Sequence, residues 1–136
     1  MDMDIYMVWG LVDGEVQMVG AFDEYSIEEN PSGWQEIIDE ARNDSDYETY
    51  DVCVSSSDKF SDDAGQCAVT LIWVNDKSNP GEPWLFDAWT EYDIDNNPEG
   101  FEEKVEQAKN YHFTEITVMS VDENAIRKNL TTANRV

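Results

Sequence analysis

The sequence predicts an α+β fold: two tandem β-β-α-β repeats related by pseudo-two-fold symmetry, with antiparallel sheet and two helices packed on it. Three observations predict it. Residues 21–43 align without gaps on residues 88–110, an Asn-Pro helix start lies in both segments, and apolar runs separated by turn residues flank each helix. The aligned strings are AFDEYSIEENPSGWQEIIDEARN and AWTEYDIDNNPEGFEEKVEQAKN, identical at ten of 23 positions. Chance at average composition gives about one or two. A shared Asn-Pro cap accounts for two of the identities. It does not account for the Glu-Tyr-x-Ile lead-in, the aromatic pairs Phe22/Trp89 and Trp34/Phe101, or the closing Ala-x-Asn.

Each element follows from its own pattern. Residues 5–10 read as a strand, Asp13-Gly14 is a two-residue hairpin turn, and residues 16–22 return. Trp34, Ile37, Ile38 and Ala41 then recur at helical spacing and define an inward face, as Phe101, Val105 and Ala108 do in the second copy. Residues 50–55 form the closing strand of the first unit. In the second unit strands at 67–74 and 84–89 are joined by a longer loop, 75–83, containing Asn79-Pro80-Gly81, and the closing strand is 115–121. Residues 122–130 suit a short final helix with Asp122 near its N-terminus. The organisation is a first repeat at 1–56, a Ser-, Asp- and Gly-rich linker at 57–66, and a second repeat with a tail at 67–136. Units of about 60 residues are marginal alone, so one compact domain with a shared core is expected.

Composition narrows the function classes. The chain of 136 residues carries 31 acids against 8 Lys and Arg, a net charge of −23, yet its 5 Trp, 6 Tyr and 5 Phe supply enough apolar area to fold. No apolar run reaches the roughly 18 residues of a membrane span. The opening Met1-Asp2-Met3-Asp4 lacks the basic start of a secretory signal, so a cytoplasmic protein is expected. Cys53 and Cys67 show no C-x-x-C spacing and read as buried free thiols. The single histidine, His112, lies between a helix and a strand, where a surface or capping role suits it better than catalysis. Asp93-Ile94-Asp95-Asn96-Asn97 begins like a calcium loop, but Pro98 replaces the required Gly and Lys104 the closing Glu, so the segment reads as a capped helix start. Neither a metal nor a cofactor is expected, and no catalytic group is assigned. Direct nucleic-acid binding is disfavoured, because phosphates are repelled by such a field.

The acids concentrate in the repeated segments: residues 21–51 hold eleven against Arg42, and residues 88–118 hold eight against Lys104 and Lys109. Glu36 faces Glu40, Glu99 faces Glu103 and Glu102 faces Glu106 at i,i+4, each pair costing a few tenths of a kcal/mol. Helix stability alone favours Lys at some of these sites. Rows of carboxylates on a rigid protein can occupy a phosphate-binding groove, as duplex DNA does with one charge per about 1.7 Å. In size, charge and lack of catalytic residues the chain resembles the small acidic DNA-mimic inhibitors of phages and mobile elements, of the anti-restriction and anti-CRISPR type, and the acidic immunity proteins of nuclease toxins. The resemblance implies a partner that is a basic nucleic-acid-binding protein or nuclease. The partner-binding candidates are Asp23, Glu24, Glu28, Glu29, Glu36, Asp39 and Glu40, with Glu91, Asp93, Asp95, Glu99, Glu102, Glu103 and Glu106 in the second copy. Tyr25 and Tyr92 beside them read as core residues in preference to paired interface anchors. The alternatives are a generic protein-interaction module and a halophile-adapted one whose acidity serves solubility; self-association stays open.

Overall fold

Asp13 and Gly14 take positive φ of 51° and 80°, the geometry that a tight hairpin with right-twisted strands requires. They join β1 (Asp4–Val12) to β2 (Glu15–Asp23), as the sequence leads one to expect. The structure, a computed structural model, describes residues 3–75, 83–111 and 113–132. His112 and most of the expected 75–83 loop lie outside the described residues. After the hairpin come α1 (Glu24–Glu29), α2 (Pro31–Asn43) and β3 (Thr49–Ser56). Then follow β4 (Gln66–Asn75), β5 (Trp84–Thr90), α3 (Glu91–Asn96), α4 (Pro98–Ala108), β6 (Phe113–Asp122) and α5 (Glu123–Thr132).

The strands form two antiparallel three-stranded sheets, ordered β2-β1-β3 and β5-β4-β6. The central places go to β1 and β4, whose near-continuous apolar runs suit strands buried on both faces. A bulge interrupts each hairpin, between Val8 and Trp9 in the first and between Ile72 and Trp73 in the second. It leaves Val19 and Phe86 as the extra residues on β2 and β5.

Alternation along the central strands builds two kinds of packing. Ile5, Met7, Trp9 and Leu11 of β1 join Cys67, Val69, Leu71 and Trp73 of β4, with Ile126 and Leu130 of α5, in one buried cluster. The core therefore draws on both halves of the chain. On the opposite face of the second sheet, Ile72 and Val74 pack with Phe101, Val105 and Ala108, and Trp89 meets Phe101 edge-on at 5.7 Å. On the first sheet Trp34 contacts Tyr6 at 6.1 Å and Phe22 at 5.7 Å. These are the inward residues that helical spacing picks out.

Two corrections follow. The expected antiparallel sheet is two sheets, and the described helices number five where two and a short closing helix were expected; α5 is that closing helix, and α1 and α3 are the additions. Four of the five are accounted for by paired caps: Asp23 before α1, Thr90 before α3, and Asn30 and Asn97 before α2 and α4. Each Asn side chain accepts a hydrogen bond from Gly33 or Gly100 N–H at 3.1 Å. A Cβ at either glycine would collide with the capping amide, which gives the repeated Asn-Pro-x-Gly a steric reason. Before α5, Asp122 Oδ1 accepts from Ala125 N–H at 3.1 Å, as its place near a helix start predicts.

Candidate partner-binding surface

Of the fourteen acids singled out, Asp23 departs furthest from its expected role. It is fully buried. One carboxylate oxygen accepts from Ser26 N–H at 2.5 Å, capping α1, and the other from Leu85 N–H at 2.6 Å on β5. A charge held this way satisfies two backbone donors, one in each half of the chain, and presents nothing to a partner. Asp23 is thus a structural residue, and its assignment to the binding surface is withdrawn.

Glu91 and Asp93 are half-buried. Asp93 Oδ2 accepts from Thr90 N–H at 3.3 Å while Thr90 Oγ1 accepts from Asp93 N–H at 3.1 Å, a reciprocal capping box. The chemistry is exchanged between the two short helices: Asp caps and Ser follows at α1, Thr caps and Asp follows at α3.

The other candidates divide by helix. Glu24, Glu28 and Glu29 are exposed on α1, and Glu36 and Glu40 on α2, with Asp39 half-buried. Asp39 accepts from Gln35 Nε2 at 3.0 Å and pairs with Arg42 at 3.8 Å. Asp95 is exposed on α3. Glu99, Glu102, Glu103 and Glu106 are exposed on α4 and line an open concavity of about 650 Å³. Glu106 also pairs with Lys109 at 2.9 Å. Lys104 lies on the other flank, its Nζ 5.8 Å from the Phe86 ring. The acids on α4 therefore form a patch, and those on α1 and α2, Asp39 apart, are exposed on the corresponding helices of the first half.

Sequence reasoning missed the seam between the halves. A cleft of about 360 Å³ there is lined by Gly20, Asp87, Trp89, Asp93 and Asn97 among others. A second, of about 310 Å³, shares Asp93 and Asn96 with it and adds Glu15, Tyr92 and Glu123. Asp87 accepts from Trp89 Nε1 at 2.7 Å. No single segment of sequence carries these residues, so only the fold could assemble them.

Tyr25 and Tyr92 are 40% and 46% exposed, which overturns their reading as core residues. Tyr92 O–H donates to Glu123 Oε2 at 3.1 Å, and that hydrogen bond pushes its phenol up to about 12. Both cysteines are free; Cys67 is buried, and Cys53 only half-buried, short of the full burial expected. Burial, then the charges of Glu91 and Glu123, push the Cys67 thiol up to about 12; burial also raises Cys53. These shifts oppose thiolate formation. Among the described residues no group of three or more His, Cys, Asp or Glu side chains is placed to hold a metal ion. Among them, too, no helix is long and apolar enough to cross a membrane. Comparison of the chain with protein families, with curated proteins and with solved structures returns no match.

Proposed function

We propose that this chain is a non-catalytic acidic inhibitor that binds the basic, nucleic-acid-binding surface of a nuclease or other DNA-binding protein by offering carboxylates in place of phosphates. One observation carries the reading: Glu99, Glu102, Glu103 and Glu106 stand exposed together on α4, anchored through Phe101, Val105 and Ala108 to a packed sheet. A fixed row of charge costs helix stability and gives back affinity only when a cation-rich surface meets it. Such an inhibitor acts in the cytoplasm of the cell whose nuclease it blocks.

The reading includes duplication of one unit, with a pseudo-two-fold relation between the copies. It is supported by the aligned segments, by the common strand order with the first strand of each hairpin in the middle, and by the bulge beside Trp9 and Trp73. Acids repeated in two related units suit a surface built to hold duplex DNA, since a duplex is itself two-fold symmetric.

The test is capture of a basic nucleic-acid-binding protein at low salt and at about 0.5 M salt, where screening shortens towards a few Å. The expected result is binding lost at high salt and competed by duplex DNA, with Glu99, Glu102, Glu103 and Glu106 all changed to Lys abolishing it. Binding indifferent to salt, DNA and that charge reversal overturns the reading. A general protein-interaction surface is the second reading, favoured by the exposed apolar residues Val52, Val54, Ile116 and Val118.

A further inference from the structure

Edge strands of soluble proteins usually hide their apolar side chains, yet β6 leaves Ile116 46% and Val118 44% exposed. Their register partners on β4 are Ile72 and Thr70, so they extend the face on which α4 packs its apolar side. Lys104 leans over Phe86 of β5, on one flank of the helix. The helical repeat turns Glu102 and Glu106 to the opposite flank, towards β6. In α2 the residues at that flank are Gln35, Asp39 and Arg42, and there Arg42 Nε donates to Tyr50 of β3 at 3.3 Å. The strip beside β3 thus holds one carboxylate, Asp39, beside Arg42, whereas the strip beside β6 is rimmed by Glu102 and Glu106, of which Glu106 pairs with Lys109.

The backbone of β6 adds a second observation. Ser120 N–H donates outward, away from β4, to Lys59 O at 2.8 Å, and Ser120 Oγ donates to Ser61 O at 2.8 Å while accepting from Ser61 N–H at 3.0 Å. The chain's own linker already occupies that end of the edge. Backbone groups of alternate residues point the same way in an antiparallel ladder. Those of Val118, Ile116 and Thr114 therefore also point outward, along an edge that no described strand covers.

We propose that the free edge of β6 between Thr114 and Val118 docks an extended basic segment of a partner protein, which joins the sheet as a fourth strand. Its main chain pairs with the outward groups of β6, and alternate Lys or Arg side chains, on the face of Ile116 and Val118, cover those two residues with their aliphatic stems and carry their charges towards Glu102 and Glu106. A second copy of this chain is the disfavoured occupant, because it brings another net charge of −23 to the same place. The inference rests on the reading of the acids as a surface for a basic protein, and it adds the site and the backbone form of the ligand.

The probe is a blocked fluorescent heptapeptide alternating lysine and valine, titrated into the full chain by anisotropy, with hydrogen exchange read at the amides of Ile116 and Val118. The expected result is binding that slows exchange at those two amides, fails when alternate peptide nitrogens are methylated, and fails for a glutamate–valine peptide. I116K/V118K raises Kd at least tenfold, and V52K/V54K changes it less than twofold. No binding, binding that survives N-methylation, or binding equally impaired by both double variants overturns the proposal. The two readings fail separately. Salt-sensitive, DNA-competed capture that I116K/V118K leaves intact keeps the acidic inhibitor and removes the docked strand. Peptide docking at β6 with no DNA-competed capture does the reverse.

Discussion

Trp9 and Trp73 occupy matching places beside the two bulges, but only one has its indole N–H satisfied. Trp73 Nε1 donates to Thr117 Oγ1 at 2.8 Å, whereas Trp9 Nε1 is buried with no partner. Thr117 lies opposite Leu71, two residues before Trp73, and Cys53 lies opposite Met7, two residues before Trp9. Cys53→Thr therefore offers the orphaned N–H an acceptor and is expected to stabilise the chain by about 1 kcal/mol, a few degrees in Tm. Thr117→Val, which strands the second indole, is expected to cost ~1–3 kcal/mol. Thermal melts of the two variants check both. Cys67 sets a pH dependence. Its folded pKa of about 12 stands above the 9.0 of an unperturbed thiol, so its contribution is whole below pH 9 and is lost as pH rises towards 12. Melting points between pH 8 and 11 should fall, and Cys67→Ala should flatten the fall. At this scale the sequence could name the apolar residues but not their partners. Tyr25 and Tyr92 look like core residues in a string, and only the short helices that carry them show that they stand outside.

At the scale of elements, α2 and α4 were legible because two and more turns display a face, while α1 and α3 were not. Six residues are too few for a helical period to separate from chance, and the shared Glu-Tyr-x-Ile was visible without its conformation. What holds them is capping, and the caps differ in consequence. Thr90→Ala removes one half of a capping box and is expected to cost about 1 kcal/mol. Asp23→Ala removes a cap and also leaves the buried Leu85 N–H without an acceptor, so about 2–3 kcal/mol is expected. Urea unfolding of the two variants compares them, and equal losses would mean that the contact with β5 contributes nothing. Asp23 was chosen as a surface acid because charge is the readable property of an aspartate. Its burial depends on a strand 62 residues away, which no local pattern reports.

For the whole molecule, the net charge of −23 must be held together by a core drawn from both sheets. Self-repulsion of that size is screened by salt, so Tm should rise by several degrees between about 10 mM and 0.5 M NaCl, as the screening length drops from about 30 Å towards 4 Å. The acid-to-amide variant E99Q/E102Q/E103Q should raise Tm at low salt and narrow that difference. A Tm independent of salt would show that the acids are too far apart to repel. A shared core was foreseeable from the size of the repeats; that it lies between two separate sheets was not, since pairing within each half leaves the same alternation as a single merged sheet. The position of α5 adds a consequence in time. Ile126 and Leu130 complete the cluster around Trp9 and Leu11, Thr49 Oγ1 donates to Leu130 O at 2.7 Å, and Arg127 reaches the carbonyl of Gly14. Translation delivers β1 more than a hundred residues before the helix that closes over it, so the first hairpin leaves the ribosome with its tryptophan uncovered and depends on what is synthesised later to bury it.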